Sequence, residues 1–241
     1  MKINPNSRSH GFTLLETVIA IGVLSVLLTG FIVVFTPAAD GIRKSINIQQ
    51  ADRLASTLEQ ELVTIRNPEA GITTGFDKAF NRISGSSAAA TGLVVYQYRG
   101  KKNSLRASDK TPEPLVSAND NKEKIPGENY TVVSVMRRLN DPEFTADLPA
   151  IEGSVYLVKC TQLVFGGGQL APGTPGKIVD PAGVEPGAVA NSAAYKDAVI
   201  AFTADFYMMP AKSAGYFTAT LPGKFAGLNK PVFSRNLAVR R

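Results

Sequence analysis

One uninterrupted apolar segment near the N-terminus constrains this chain more than any other feature of its 241 residues. Between Phe12 and Phe35 the sequence reads FTLLETVIAIGVLSVLLTGFIVVF, and its only charged residue is Glu16. An α-helix of this length spans about 36 Å, and the hydrocarbon core of a bilayer is about 30 Å thick. The segment therefore predicts one membrane-spanning helix.

Composition limits the remainder of the chain to a globular domain. Hydrophobic residues make up 44% and charged residues 19% of the sequence, which is typical of a folded protein rather than a disordered one. A polytopic membrane protein would need several apolar segments of comparable length. The formal net charge of +6 is too small a basic excess to indicate nucleic-acid binding.

Glu16 distinguishes the apolar segment from an ordinary anchor or signal peptide. A carboxylate inside an apolar helix costs about 2.5–3.5 kcal/mol on insertion scales, so we expect it to have a partner unless it lies at headgroup level near water. The segment is also too long for the apolar part of a signal peptide, and Thr36-Pro37-Ala38 is a poor cleavage site for one. An uncleaved anchor would fit the length but leaves Glu16 unexplained.

The residues around Glu16 form a specific string. Gly11-Phe12-Thr13-Leu14-Leu15-Glu16 follows a short polar leader containing Lys2 and Arg8 and precedes the apolar run. This pattern resembles the prepilin signature of type IV pilins and type II secretion pseudopilins. The resemblance implies that a prepilin peptidase cleaves between Gly11 and Phe12 and methylates the new amine of Phe12. It further implies that Glu16 neutralises the amine of a neighbouring subunit during filament assembly.

The resemblance also implies where the protein works and what it contacts. Its partners would be the prepilin peptidase, other pilin or pseudopilin subunits and the lipids of the bacterial inner membrane. The chain would cross that membrane once, with its C-terminal domain on the periplasmic or extracellular side. Lys2 and Arg8 before the span are balanced by Arg43 and Lys44 after it, so charge counting does not set this orientation. The sequence leaves open whether the system is a secretion filament or a pilus.

Residues that carry catalysis are scarce. The only histidine, His10, lies in the expected leader, so a mature Ser-His or Cys-His pair would lack its base. Cys160 is the only cysteine; it cannot form an intrachain disulfide, and we expect it to be a core residue. We therefore expect a structural protein rather than an enzyme, with no cofactor and no metal. Asn119–Glu123 clusters oxygen ligands, but the spacing does not match an EF-hand, and a solvated loop is favoured.

Beyond Pro37 the apolar residues change to three- and four-residue spacing, which indicates an amphipathic helix. The residues of this face are Ile42, Ile46, Ala51, Leu54, Ala55, Leu58, Leu62 and Ile65. Asn67-Pro68 should end the helix, and Pro37 should kink or interrupt it; two helices joined by a linker are the alternative. The predicted segments are a leader at 1–11, a span at 12–35, a helix continuation at 36–67 and a β-rich exported domain at 68–241.

After Gly71 the helical period disappears and short β-branched and aromatic runs predict strands. They are Leu93–Tyr98, Tyr130–Arg138, Val155–Phe165, Val199–Met208, Tyr216–Leu221 and Val232–Val239. Residues 101–129 and 166–191 should be long loops, the second without regular structure. These patterns predict an α+β, pilin-like fold in which an antiparallel sheet covers the amphipathic helix.

Two rival functions remain open at this point. In the first, the segment from Tyr96 to Arg106, which interleaves aromatic and basic residues, makes the chain a DNA-binding or adhesive minor pilin. A strand that runs into a charged turn explains that segment more simply, so we do not expect nucleic-acid binding. In the second, an uncleaved helix merely tethers the domain, and the N-terminus of the purified protein would be unprocessed.

Overall fold

The structure, a computed structural model, describes residues 13–66, 69–116, 127, 130–166, 168–181 and 187–241. The helices in this range are α1 Leu14–Val63, α2 Gly75–Gly85, α3 Pro142–Asp147 and α4 Leu221–Lys224. The strands are β1 Leu93–Leu105, β2 Pro112–Pro114, β3 Tyr130–Arg138, β4 Ile151–Gly166, β5 Gln169–Pro172, β6 Val199–Met208 and β7 Phe233–Arg240. The chain divides into two units, Met1–Ile46 and Asn47–Arg241.

Helix α1 is a single element with Pro37 inside it. The interruption expected at this proline is therefore wrong, whereas a kink stays a prediction. The helix ends at Val63, a few residues before Asn67-Pro68, which lie outside the described residues. Two donors reach its last turn: Thr64 Oγ1 donates to Gln60 O at 2.8 Å, and Lys78 Nζ donates to Thr64 O at 2.6 Å. Cations commonly stabilise helix C-termini in this way.

The second unit is built around one antiparallel sheet. Its strand order is β2-β1-β4-β6-β7, with β3 also paired to β1 and β5 to β4. The predicted bounds of β3 and β6 are those observed, and the α+β class with a helix packed on an antiparallel sheet is confirmed. Alternating side chains of β1, β3, β4 and β6 face two different cores, because successive residues of a strand point to opposite faces.

The first core lies between the sheet and two helices. From the predicted amphipathic face, the structure buries Ala51, Leu54, Ala55, Leu58 and Leu62 completely. Ile42, Ile46 and Ile65 of the same predicted face remain exposed, so only its middle part packs on the sheet.

Helix and sheet approach each other closely at Gly153. This residue has a φ of 66°, and a Cβ there would lie 1.9 Å from Gln50 Nε2 on α1. Any side chain here would strain the backbone and would displace the side chain of Gln50. Tyr156 strengthens the same contact, because its hydroxyl donates to Asn47 O at 2.9 Å.

Helix α2 was not expected, because the sequence reading placed only strands after Gly71. A capping box begins it: Asp77 N–H donates to Thr74 Oγ1 at 3.2 Å, and Thr74 N–H donates to Asp77 Oδ2 at 2.8 Å. Phe76, Ala79, Phe80 and Ile83 then follow at helical spacing and are buried in the first core. Both signals are present in the sequence, so this helix was predictable.

The segment Tyr216–Leu221, predicted as a strand, is helical. Tyr216–Thr220 forms a π-helical turn that continues into α4. Phe217, Leu221 and Phe225 are four residues apart and all three are buried in the second core, on the other face of the sheet. Burial at a four-residue interval therefore outweighs the β propensity of the sequence YFTATL.

The two predicted loops contain regular structure. Residues 101–105 belong to β1, and β2 returns antiparallel to them. In the second loop, β5 forms a hairpin with β4, and Gly168 in its turn has a φ of 84°. The expectation that residues 166–191 lack regular structure is therefore wrong for β5. Residues 117–126, 167 and 182–186 lie outside the described part of the chain.

Candidate processing and assembly site

Glu16 takes part in a capping box at the start of α1. Glu16 Oε2 accepts from both Thr13 N–H and Thr13 Oγ1 at 2.9 Å, and Glu16 N–H donates to Thr13 Oγ1 at 3.2 Å. Thr13 is thus the N-cap residue, and Glu16 is the third residue of the helix. The pattern Thr-x-x-Glu is visible in the sequence, although our reading of the sequence did not use it. The carboxylate therefore stabilises its own helix end.

The first half of α1 exposes its apolar side chains. Leu14 is 85% and Val26 72% exposed, and most of the other large apolar residues up to Phe35 are also more than half exposed. The hydroxyl groups of the segment bond to its own backbone: Ser25 Oγ donates to Ile21 O and Thr29 Oγ1 to Ser25 O, both at 2.8 Å. Such back-bonding is how isolated polar side chains are accommodated in lipid. Among the described residues, α1 is the one helix long and apolar enough to cross a membrane.

Residues 6–32 match the family model of the prokaryotic N-terminal methylation motif. The chain carries a pilin-type N-terminus. This motif is the signature of type IV pilins and pseudopilins, and it covers the string from Gly11 to Glu16 that carried the resemblance. No curated protein matches the chain, and no solved structure matches it.

The pilin-type motif at residues 6–32 has implications for processing and assembly. It implies processing by a prepilin peptidase and assembly with other pilin subunits, and its family is structural rather than enzymatic. Together with the exposed apolar helix it indicates membrane anchoring. Gly11 and Phe12, the predicted cleavage and methylation residues, lie outside the described residues. Asn119–Glu123, considered for calcium, also lie outside them.

The segment from Tyr96 to Arg106 cannot present a base-stacking surface. Tyr96 and Tyr98 are fully buried, and Arg106 is 7% exposed. Aromatic rings must be accessible to stack on nucleic-acid bases. The interleaved aromatic residues that suggested DNA binding therefore cannot stack on bases, and the observation behind that hypothesis is removed. Cys160 is in the core as expected, and burial raises the pKa of its thiol to about 12.

A buried ion cluster, which the sequence reading missed, lies under the second face of the sheet. The carboxylate of Asp147 is fully buried and accepts from Tyr96 Oη at 2.6 Å, Arg106 Nη2 at 2.5 Å and Arg137 Nε at 3.0 Å. Glu143 pairs with Arg106 at 2.8 Å on the side facing solvent. Two arginines inside or beside buried strands are the only hint of this cluster in the sequence, and they do not identify the partner.

Lys78 is a further buried cation, at the junction of α1 and α2. Burial lowers the pKa of its ammonium to about 8; Glu61 and Glu69 oppose this shift, while Arg66 and Arg82 add to it. Its ammonium donates to Thr64 O at the end of α1. In the unfolded chain we take its pKa as the ordinary 10.5. The folded protein therefore loses this proton at a lower pH than the unfolded chain does.

Lys78 should make the domain more stable as the pH rises above 8. Between pH 8 and 10.5 the ammonium of Lys78 is protonated in the unfolded chain and neutral in the folded protein. The free energy of unfolding therefore increases with pH, by about 1 kcal/mol from pH 7.5 to 9. Urea denaturation of a soluble fragment of residues 44–241 measures this difference. Cys160 acts in the opposite direction above pH 9, because its thiol stays protonated in the fold.

The matched control for Lys78 is Lys78→Met, which keeps the length of the side chain and removes its titration. The rise between pH 7.5 and 9 should disappear in this variant, while the effect of Cys160 remains in both proteins. An equal rise in both proteins would contradict the assignment of this pH dependence to Lys78.

Proposed function

We propose that the protein is a minor pseudopilin or pilin, a structural subunit of a type II secretion or type IV pilus-like filament. In this proposal residues 1–11 are removed as a leader, Phe12 becomes an N-methylated N-terminus, and residues 12–35 lie first in the inner membrane and then in the filament core. Residues 36–67 continue the helix, and residues 68–241 form the exported domain outside the cytoplasm. The size of the chain, the lack of a cysteine pair and the long Gly/Pro-rich loop favour a minor or atypical subunit.

One observation carries the proposal: Glu16 is the only charged residue of the apolar segment 12–35, and it lies in the first turn of α1, five residues after the bond whose cleavage the resemblance implies. Lipid can cover such a helix before assembly, and the helices of other subunits can cover it afterwards. A carboxylate at this position offsets the charge of a newly formed amine on an adjacent subunit. A simple anchor needs neither the helices of other subunits to cover it nor a carboxylate to offset an amine.

The capping box adds a second role for Glu16 that is compatible with the first. Cleavage after Gly11 leaves Thr13 and its N–H in place, so the hydrogen bonds between Thr13 and Glu16 persist in the mature chain. The box holds the carboxylate at the end of the helix, close to the position of the new N-terminus. A preordered carboxylate loses less side-chain entropy when it meets the amine of a neighbour.

Processing should depend on the absence of a side chain at residue 11. The wild-type protein, purified from membranes of its host, should begin at Phe12 and carry one methyl group on its amine. Gly11→Val should leave the leader attached, because a peptidase subsite shaped for glycine excludes a branched side chain. Intact-mass measurement and N-terminal sequencing distinguish the two forms.

The control for processing is Ser9→Ala, a small change inside the leader, which should be cleaved normally. A wild-type protein that begins at Met1 without a methyl group would contradict the proposal. That result would instead support the alternative function, in which an uncleaved helix tethers an exported domain to the membrane.

A further inference from the structure

A cleft of about 320 Å³ lies beside the second core of the β-rich domain. Its volume is within the range of small-ligand pockets, about 300–1,000 Å³. Lys159 and Thr161 of β4 and Asp205 and Tyr207 of β6 line it, since residues two apart on a strand point to the same face. The turn that follows α4 closes one side, and Ser87 contributes to another. A cation, an acid and three hydroxyl groups therefore surround one small volume.

The three hydroxyl groups of this cleft lack hydrogen-bond partners within the part of the chain that the structure describes. Ser87 Oγ is buried and unpartnered. Thr161 and Tyr207 are each 7% exposed, and no described residue bonds to Thr161 Oγ1 or to Tyr207 Oη. Buried polar groups of folded proteins almost always have a partner, which is either protein, ligand or water. The cleft thus offers three unused hydroxyl groups to an occupant.

The two charged residues of the cleft also have unused bonding capacity. Lys159 and Asp205 lie directly opposite each other on β4 and β6, but each bonds elsewhere. Lys159 Nζ donates to Phe225 O at 2.8 Å and to Leu228 O at 3.0 Å, which leaves its third N–H free. Asp205 Oδ1 accepts from Ser234 Oγ at 2.6 Å, and its other oxygen remains open to a donor. A ligand can therefore meet both charges.

The remaining lining of the cleft is apolar and holds the ammonium of Lys159 in place. Lys159 Nζ lies 4.7 Å from the ring centre of Phe225 and 5.3 Å from that of Tyr207, within the range of cation–π contacts. Pro175 and Leu228 complete the apolar part of the wall. An occupant of this cleft therefore contacts hydrocarbon on one side and two opposite charges on the other.

We propose that this cleft binds a free amino acid with an apolar side chain. Asp205 would accept hydrogen bonds from the ammonium of the ligand. Lys159, together with the hydroxyl groups of Ser87 and Thr161, would donate to its carboxylate. The apolar wall would contact its side chain. The inference concerns a ligand of the β-rich domain and does not depend on the proposed function.

The pair of opposite charges selects this class of ligand over simpler ones. A lone anion such as phosphate would lie beside Asp205, and a lone amine would lie beside Lys159; both contacts are repulsive. A neutral sugar would satisfy the hydroxyl groups but leave both charges unmatched. An α-amino acid carries an ammonium and a carboxylate a short distance apart, and the Cβ atoms of facing residues on paired strands are about 5 Å apart.

The test uses isothermal titration of the detergent-solubilised full chain with L-leucine, with protein-free micelles as the blank. Leucine should bind saturably at millimolar or lower concentration. N-acetyl-leucine lacks the ammonium and leucinamide lacks the carboxylate, so each should bind at least tenfold more weakly. Glucose should not bind.

Two variants place the binding in this cleft without removing a hydrogen bond of the fold. Thr161→Val replaces an unpartnered hydroxyl by a methyl group, so it should fold like the wild type and weaken leucine binding about tenfold. Asp205→Asn keeps an oxygen that can accept from Ser234 and loses the charge, so it should weaken binding at least as much. Thermal unfolding checks that both variants are folded.

The matched controls are Thr203→Val and Asp52→Asn. Thr203 lies opposite Thr161 on β6 but does not line the cleft, and Asp52 lies on α1 in an exposed ion pair. Both controls should bind leucine like the wild type.

Three results would overturn the inference. A wild-type protein that shows no saturable binding of leucine at millimolar concentrations would indicate that the cleft holds only water. Equal binding by the wild type, Thr161→Val and Asp205→Asn would place the ligand elsewhere. Equal binding of leucine and N-acetyl-leucine would reduce the cleft to a site for anions. Each outcome leaves the processing of the N-terminus untouched, so this inference and the proposed function fail separately.

Discussion

Replacing Glu16 with alanine should leave the leader cleaved and the domain folded, yet reduce entry into filaments by about a hundredfold. The factor follows from the cost of about 2.5–3.5 kcal/mol for an uncompensated charge in an apolar environment, here the amine of the adjacent subunit. The measurement compares the amount of this subunit in sheared, purified filaments of the native host with its amount in membranes. Intact mass of the membrane fraction confirms cleavage.

Two further variants separate the charge of Glu16 from its capping role. Glu16→Gln keeps an oxygen that can accept from Thr13 but carries no charge. If the amine needs a carboxylate, filament entry of this variant should fall as far as that of the alanine variant. Thr13→Ala removes the side chain of the cap and keeps the charge, so its entry should fall only slightly. Normal filament entry by Glu16→Ala would refute the assembly role.

Replacing Asp147 with alanine should destabilise the β-rich domain by about 3 kcal/mol, because Arg106 and Arg137 lose their one fully buried carboxylate and keep only the more exposed Glu143, Asp109 and Asp141. Arg106 and Arg137 are 7% and 6% exposed, so water cannot easily replace the lost partner. Tyr96 also loses the acceptor of its buried hydroxyl. Urea denaturation of the fragment of residues 44–241, followed by circular dichroism, measures the difference.

The matched control for this prediction is Asp52→Ala, the same substitution in an exposed ion pair. Asp52 contacts Arg235 at 3.4 Å with its side chain 59% exposed, and the loss should be within about 0.5 kcal/mol. A change below about 1 kcal/mol for Asp147→Ala would show that the cluster does not hold this face of the sheet together.

Much of the sheet could be predicted, because alternating or β-branched runs are local signals. The bounds of β3 and β6 follow from their residues alone, and so does the buried face of α1 from Ala51 to Leu62. The strand predicted at Tyr216–Leu221 failed because a local β preference gave way to a second core that buries Phe217 and Leu221 together. A sequence does not show that such a core exists until the layers are assembled.

The ion cluster illustrates the same limit for functional residues. Arg106 and Arg137 precede Asp147 by 41 and 10 residues, and the three meet only because β1 pairs with β3 and α3 packs beside that pair. No spacing rule connects them. The capping box of Thr13 and Glu16 is the opposite case, since both residues lie within one helical turn and the pattern can be read directly.

By itself, the sequence determined the membrane-length helix, the single acid at its start and the pilin-type motif, because each depends on neighbours within a few turns of one helix. Tertiary structure alone decided which residues of α1 are buried, which carboxylate compensates the buried arginines and which strand is left at the edge of the sheet. These depend on the order in which distant strands pair, and that order comes from the packing of whole layers rather than from any local pattern.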